Sequence, residues 1–426
     1  MILAVVCISF LICLLLGFPV AIAMGIGGVA GLLAEGSLPA VVMGQKVFSA
    51  TDSFALLAIP FFMLCGQLME FTGVTDDLLN LSKALVGHVR GGLACTITVA
   101  GALMASITGS QNASAAAIGS ISIGAMKKDG YEDGFSVAVI ASSGGLGPII
   151  PPSIIMVIYC TTAGNVSVGE MFMAGVVPGI LLALGYCIIA NIYARRRNMA
   201  RTRFLGFLNM LKAFVKAIPA LLMPVIMIGG ILAGIVTATE SAVIASVYGL
   251  IYGLIRRKLN FKNLKQALVN SVVNTCGPMG IIMLCSLMGY MLIRQNLAVI
   301  LQNFMAPFAA TPALFMIIMM IMLLIAGMFI DGTATLLLLV PVLTPLVNTM
   351  GIDPLHFAIV FILALQTGGL TPPVGVLLFI VASIGHVPLS KCVKPVIPFV
   401  LIMLLVVLLI IFVPDIAIWL PSVTAR

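Results

Sequence analysis

The chain has 426 residues, of which 8% are charged and 62% are apolar, and its net charge is +8. A soluble domain carries roughly 25% charged residues and needs a polar skin, so the composition excludes a soluble enzyme, a disordered chain and a disulfide scaffold. Apolar runs of helical length recur from end to end, without the alternating strands of an outer-membrane barrel, which predicts an all-α polytopic membrane protein.

In chain order, Gly17-Phe18-Pro19 splits the first 33 residues into two short crossings, with one bent span as the alternative. Residues 34–53 read as a loop, 54–71 as a span and 75–90 as an amphipathic surface helix. Residues 91–126 hold two arms of about 17 residues around the polar stretch Ser106–Ser114, too short for two crossings plus a loop. They read as a re-entrant hairpin. A broken crossing follows over 134–162, with Ser143-Gly144-Gly145-Leu146 ahead of Pro148, Pro151 and Pro152. Spans are expected at 171–194, 217–236, 241–255 and 271–293. Residues 312–348 read as a second hairpin with its tip at Asp331-Gly332-Thr333, the alternative being two ordinary spans with Asp331 in a surface loop. A second broken crossing over 355–384 carries Thr367-Gly368-Gly369-Leu370-Thr371-Pro372-Pro373, and 395–413 is the last span.

The basic residues lie in clusters between these runs: Arg195 to Lys216 (with Arg201 and Arg203), Arg256 to Lys265, and Lys391 with Lys394. Such placement is that of cytoplasmic loops, not of a nucleic-acid surface. Nucleic acid is therefore not an expected partner. Nine Cys without a C-x-x-C and three scattered His give no metal cluster. The N-terminus lacks a basic n-region and a small-residue cleavage site, so no cleaved signal peptide is expected.

Two segments recur about 220 residues apart. Met63-Leu64-Cys65 matches Met283-Leu284-Cys285, and Ser143-Gly-Gly-Leu with its Pro pair matches Thr367-Gly-Gly-Leu with its own. Charge sidedness runs the first Met-Leu-Cys segment inward and the second outward, so the halves are inverted repeats, the usual architecture of secondary transporters. Gly permits unwound backbone and Pro suits the first turn of a new helix. Close helix packing by small residues explains most glycines, but poorly explains Gly-Gly-Leu followed by Pro-Pro. At a break, free carbonyls suit Na⁺ and free N–H groups suit a carboxylate. Ser106, Ser110 and Asn112 with Gly144 and Gly145 are expected to form one sodium site. Thr333, Thr335, Gly368 and Gly369 with Asp331 are expected to form the other. The substrate carboxylate is expected near Thr108, Pro151, Pro152, Thr371 and Pro372. Arg294 is the only basic residue between Lys265 and Lys391. It reads as an interfacial anchor, an attractor of the anionic substrate or a docking point for a binding protein.

The two Gly-Gly-Leu/Pro-Pro breaks, the Ser-rich tip at 106–114 and Asp331-Gly332-Thr333 resemble the large membrane subunit of tripartite ATP-independent periplasmic (TRAP) transporters, of the DctM/SiaM type. So do Gly17-Phe18-Pro19-Val20-Ala21 and Thr237-Ala238-Thr239-Glu240-Ser241. The resemblance covers nearly the whole chain. It implies an elevator-type fold in the bacterial inner membrane and Na⁺-coupled uptake of organic acids such as C4-dicarboxylates or sialic acid. It implies scaffold helices over 1–90, 171–311 and 391–426, and a transport domain built from 91–170 and 312–390. It also implies two partners, a small four-helix membrane subunit and a periplasmic substrate-binding protein. The competing readings are a stand-alone ion-coupled anion transporter of related fold, a channel and an intramembrane enzyme. The sequence holds no H-E-x-x-H, G-x-S-x-G or P-loop motif, so an enzyme is not expected.

Overall fold

The computed structural model describes residues 1–199, 201, 206–297, 299–300, 303 and 311–424. Arg203 and most of the 294–311 loop lie outside the described residues. The described elements are all helical. They are α1 (Ile2–Leu15), α2 (Val20–Glu35), α3 (Val41–Thr51), α4 (Ala58–Phe71, entered through one 3-10 turn), α5 (Val74–Val86), α6 (Gly92–Thr108) and α7 (Gln111–Lys128). Then come α8 (Asp133–Gly144), α9 (Ile154–Ala163), α10 (Val168–Arg196), α11 (Phe207–Leu232), α12 (Ala238–Ile255) and α13 (Phe261–Arg294). The last six are α14 (Pro312–Phe329), α15 (Gly332–Thr349), α16 (Pro354–Leu370), α17 (Val376–Gly385), α18 (Leu389–Phe412) and α19 (Asp415–Thr424). Eight of the described helical segments are long and apolar enough to cross a membrane.

Punctuation in the chain becomes geometry. Gly17 (φ +81°) and Pro19 separate α1 from α2. The first hairpin is α6 and α7 joined at Gly109, and the second is α14 and α15 joined at Ile330-Asp331. The breaks fall between α8 and α9 and between α16 and α17, with cis Pro151-Pro152 and Pro372-Pro373 inside them. Three elements differ from expectation. The 34–53 stretch contains α3, which is held by tertiary contact: Lys46 sits 4.5 Å over the Tyr290 ring, and Ser286 Oγ donates to the Lys46 carbonyl at 3.2 Å. Helix α13 begins ten residues before the expected span, because Asn260 caps it by accepting from Asn263 N–H at 2.8 Å. Beyond 413, Asp415 opens a further helix, α19, which packs on α10.

The repeat shows in pairs of equivalent contacts. Helix α4 packs along α12 as α13 packs along α2. Gly101 of α6 lies against Ser143 of α8, as Gly327 of α14 lies against Gly368 of α16. The second hairpin arms exchange partners, α7 packing on α17 and α15 on α9. One end of the molecule gathers the basic segments. Arg197 pairs with Glu132, Arg256 pairs with Asp77, and Asn191 donates to the Arg90 carbonyl. Asp353 and Glu170 line a small cavity at the far end of α10, roughly 40 Å away by helix rise.

Close approach of α2 and α13 rests on Gly28. A Cβ there would lie 2.6 Å from both Leu287 Cβ and Met288 N. Gly28→Ala is expected to cost about 1–3 kcal/mol through overpacking. Gly44→Ala, with no atom within 4 Å of the added carbon, is expected to be neutral or mildly stabilising. Thermal melting of the two variants in detergent checks the contrast.

Candidate functional site

Both hairpin tips open into one cavity of about 830 Å³. Helix α7 contributes Asn112, Ala113, Ala116, Ala117 and Ser120, spaced by threes and fours along one face. Helix α4 contributes Met63, Gly66, Gln67 and Glu70 in the same periodicity, and α13 contributes Asn270, Asn274, Gly277, Pro278 and Ile281. Helix α7 ends at Lys127-Lys128, and α13 starts just after Lys258. The cavity therefore runs from the tips toward the basic end.

The first tip is fixed against the first break. Gly109 (φ +59°) turns the chain between α6 and α7, and a Cβ there would sit 2.8 Å from the Pro152 carbonyl oxygen. The Ile154 N–H donates to the Gly109 carbonyl at 3.3 Å. Gly147 of the break lies against Ser110 and Gln111. Within the tip, the Thr108 and Ser114 hydroxyls share a hydrogen bond of 2.7 Å. At the second tip, Asp331 caps α15: its Oδ1 accepts from Thr333 N–H at 2.9 Å. The same residue lines the cavity, so capping and a cavity role coexist in one carboxyl group.

Five of the expected residues line the cavity: Thr108, Ser110, Asn112, Asp331 and Thr333. The others sit around the tips or behind them. Ser106 Oγ donates to the Leu103 carbonyl at 2.7 Å, Thr335 Oγ1 to the Asp331 carbonyl at 3.1 Å, and Thr371 Oγ1 to the Thr367 carbonyl at 2.6 Å. Gly144 lies against Ala115, and Gly368 against Leu324 and Gly327, so close helix packing accounts for their lack of a side chain. Gly145 belongs to the first break, and Gly369 has open space beside it. Pro151, Pro152 and Pro372 form the cis turns described above. Arg294 lies far along α13 from the tip-facing residues. Its Nε donates to Glu35 Oε1 at 2.6 Å, so it is the paired partner of a carboxylate on α2.

Several cavity residues escaped the sequence reading. Gln67 and Glu70, and Asn270 and Asn274, recur at spacings of three and four within apolar helices, and that periodicity is the available signal. Gln111 is another. Its Oε1 and the Ser142 Oγ beside the first break are buried with no hydrogen-bond partner among the described residues. These orphaned oxygens, like the hydroxyl, amide and carboxylate oxygens that line the cavity, are hard donors of the kind that suit an alkali cation. Among the described residues that line the cavity there are two carboxylates, Glu70 and Asp331, and no Lys, Arg or His.

Comparison with known proteins gives one consistent result. The family described as "Tripartite ATP-independent periplasmic transporter, DctM component" matches residues 7–416. An uncharacterized protein, YgiK, of Salmonella typhimurium is 35% identical over 98% of this chain and 96% of its own length. The C4-dicarboxylate TRAP transporter large permease protein DctM of Pseudomonas aeruginosa is 34% identical over 88% of each chain. Among solved structures, the YdaH transporter of Alcanivorax borkumensis, described as having an unusual topology, superposes with a TM-score of 0.64 at 14% identity, over 90% of this chain and 88% of that one. At that identity the likeness speaks for the fold alone.

Proposed function

The chain belongs to the DctM-component family of tripartite ATP-independent periplasmic transporters, and from that premise we propose that it is the large membrane subunit of a sodium-coupled importer of organic acids. The observation that carries the coupling is the charge of the cavity. An anion that enters meets Glu70 and Asp331 and no basic side chain among the described lining residues. Two like charges about 4 Å apart repel by roughly 4 kcal/mol at an effective dielectric of 20. A carboxylate therefore needs mobile cations to bind, and the oxygen-rich tips offer them sites. Ser110, Asn112, Gln111 and Ser142 would serve the first tip, and Asp331 and Thr333 the second. Driving the acid with the sodium gradient follows from this electrostatic requirement.

Packing supports the elevator reading. The hairpins and breaks interlock with each other across the repeats, while α1 to α4 pack with α11 to α13. The cavity lies between these two groups, where one sliding past the other would alternate its access. Helix α10 packs on α6, α16 and α18, α18 packs on α8 and α16, and α19 packs on α10. The moving body is therefore 91–196 with 312–424 and the scaffold is 1–90 with 207–294, rather than a scaffold that includes 171–196 and 391–426. The tripartite family name, and the large-permease names of relatives, support a small membrane subunit and a periplasmic binding protein as partners in a bacterial inner membrane. Reconstitution tests this. Acid uptake into proteoliposomes is expected only when the chain, its small subunit and the binding protein are all present. Full uptake by the chain alone would favour a stand-alone transporter.

Arg294 offers a sharper partner test. Arg294→Glu places two carboxylates side by side at the ends of α2 and α13 and is expected to lower uptake. If the internal pair with Glu35 is its whole role, adding Glu35→Arg restores uptake. If Arg294 docks the binding protein, only a charge reversal on that protein restores it.

A further inference from the structure

The cavity wall formed by α4 and α13 carries a polar stripe away from the hairpin tips. Gln266 Nε2 donates to Asn270 Oδ1 at 2.8 Å, and Asn270 Nδ2 donates to Gln67 Oε1 at 3.0 Å. Gln67 Nε2 then donates to Glu70 Oε2 at 3.3 Å. Each amide points its donor toward the next acceptor, so the chain has one direction and ends on the Glu70 carboxylate. Glu70 and Asn274, one turn along α13 from Asn270, are both open to the cavity. Polar and ionised groups inside membrane helices are costly and are by default functional.

The charge of this wall selects its ligand. With one Glu70 oxygen engaged by Gln67, the rest of the carboxylate presents only acceptors, which pair with hydroxyl donors and repel another carboxylate. Asn274 adds an amide, able to donate and to accept. The spacing also fits a substrate with two different ends. A Cβ on Gly66 would lie 3.5 Å from Thr108 Cα, so α4 touches the first tip at that level. Glu70 lies four residues further, about 6 Å along the helix axis. A molecule with its carboxylate at the tips would bring atoms that far away against Glu70.

We propose that Glu70, Gln67, Asn270 and Asn274 form a second subsite that takes the uncharged, hydroxylated end of a polyhydroxy monocarboxylate, and that Glu70 rejects dicarboxylates of the same length. The subsite rests on the reading of this cavity as the organic-acid site. It assigns specificity by a repulsive element as well as an attractive one.

The test is ligand-induced thermal stabilisation of the full-length chain in detergent, with gluconate and succinate as probes, in sodium chloride and in choline chloride. Gluconate is expected to stabilise the wild type in sodium only, and succinate to do so weakly or not at all. Glu70→Gln is expected to weaken gluconate by about tenfold or more, as for a lost hydrogen bond to a charged group, and to let succinate stabilise. Asn274→Ala is expected to weaken gluconate without admitting succinate. Each variant's melting temperature without ligand shows that it is folded. Succinate stabilising the wild type as well as gluconate does, or Glu70→Gln leaving the preference unchanged, overturns the subsite alone. No stabilisation by either acid in sodium overturns the subsite together with the organic-acid reading beneath it.

Discussion

Asp331→Asn is expected to yield a folded protein that has lost sodium-stimulated uptake by about tenfold or more, the equivalent of at least about 1.4 kcal/mol. The variant separates the two roles that Asp331 combines. As a cap, its Oδ1 accepts the Thr333 N–H at the start of α15, and asparagine caps a helix as well as aspartate does. The fold should therefore survive, and the melting temperature should hardly move. As a charge, Asp331 is one of two carboxylates in a cavity with no basic side chain among its described lining residues. Asparagine removes that charge, and with it the strongest attraction for a cation at the second tip. Asp331→Ala is expected to add a loss of about 1 kcal/mol in stability through the missing cap. Uptake with unchanged sodium affinity in the asparagine variant would leave Asp331 with the cap alone.

The second large effect is expected at Gly109. Alanine there would have to hold φ near +59° and would press its methyl group toward the Pro152 carbonyl, 2.8 Å from the ideal Cβ position. The left-handed conformation costs an L-residue roughly 1–2 kcal/mol. The clash can be relieved only by moving the tip away from the break, and a functional site tolerates shifts of about 0.5 Å. Gly109→Ala should cut transport by about tenfold or more with a modest loss of stability. Gly124→Ala, in the second arm of the same hairpin with nothing within 4 Å of the added carbon, serves as the control. Both are read by uptake at matched reconstitution levels. Native transport by Gly109→Ala would mean that the contact between tip and break does not shape the site.

The parts of this architecture that were legible in the sequence are those where backbone chemistry leaves a mark. Gly-Gly-Leu followed by Pro-Pro breaks a helix wherever it stands, so both broken crossings could be placed, and the polar stretch at 106–114 could be read as a hairpin tip. The basic clusters, which the structure gathers at one end of the molecule, were legible as charge runs between apolar segments. Tertiary pairing left no such mark. Helix α3 is short and owes its place to Tyr290 and Ser286, which lie about 240 residues away in the chain. Arg294 looked free because Glu35 is distant in sequence and adjacent only in space. The wall of Gln67, Glu70 and Asn270 was written as a helical periodicity of polar residues, yet only packing of α4 against α13 shows that the two stripes share a cavity. The break glycines drew attention as ion ligands, while the structure gives Gly144 and Gly368 a packing role.

The central claim is that the acid enters with sodium because the cavity itself is anionic. Simultaneous measurement of labelled acid and labelled sodium ion in proteoliposomes carrying the complete complex tests it most directly. The account predicts that an inward sodium gradient drives accumulation of the acid and that sodium ions enter with it in a fixed ratio. It also predicts that Asp331→Asn lowers both fluxes together. Equal acid uptake with and without the gradient, or accumulation with no sodium entering, would contradict it.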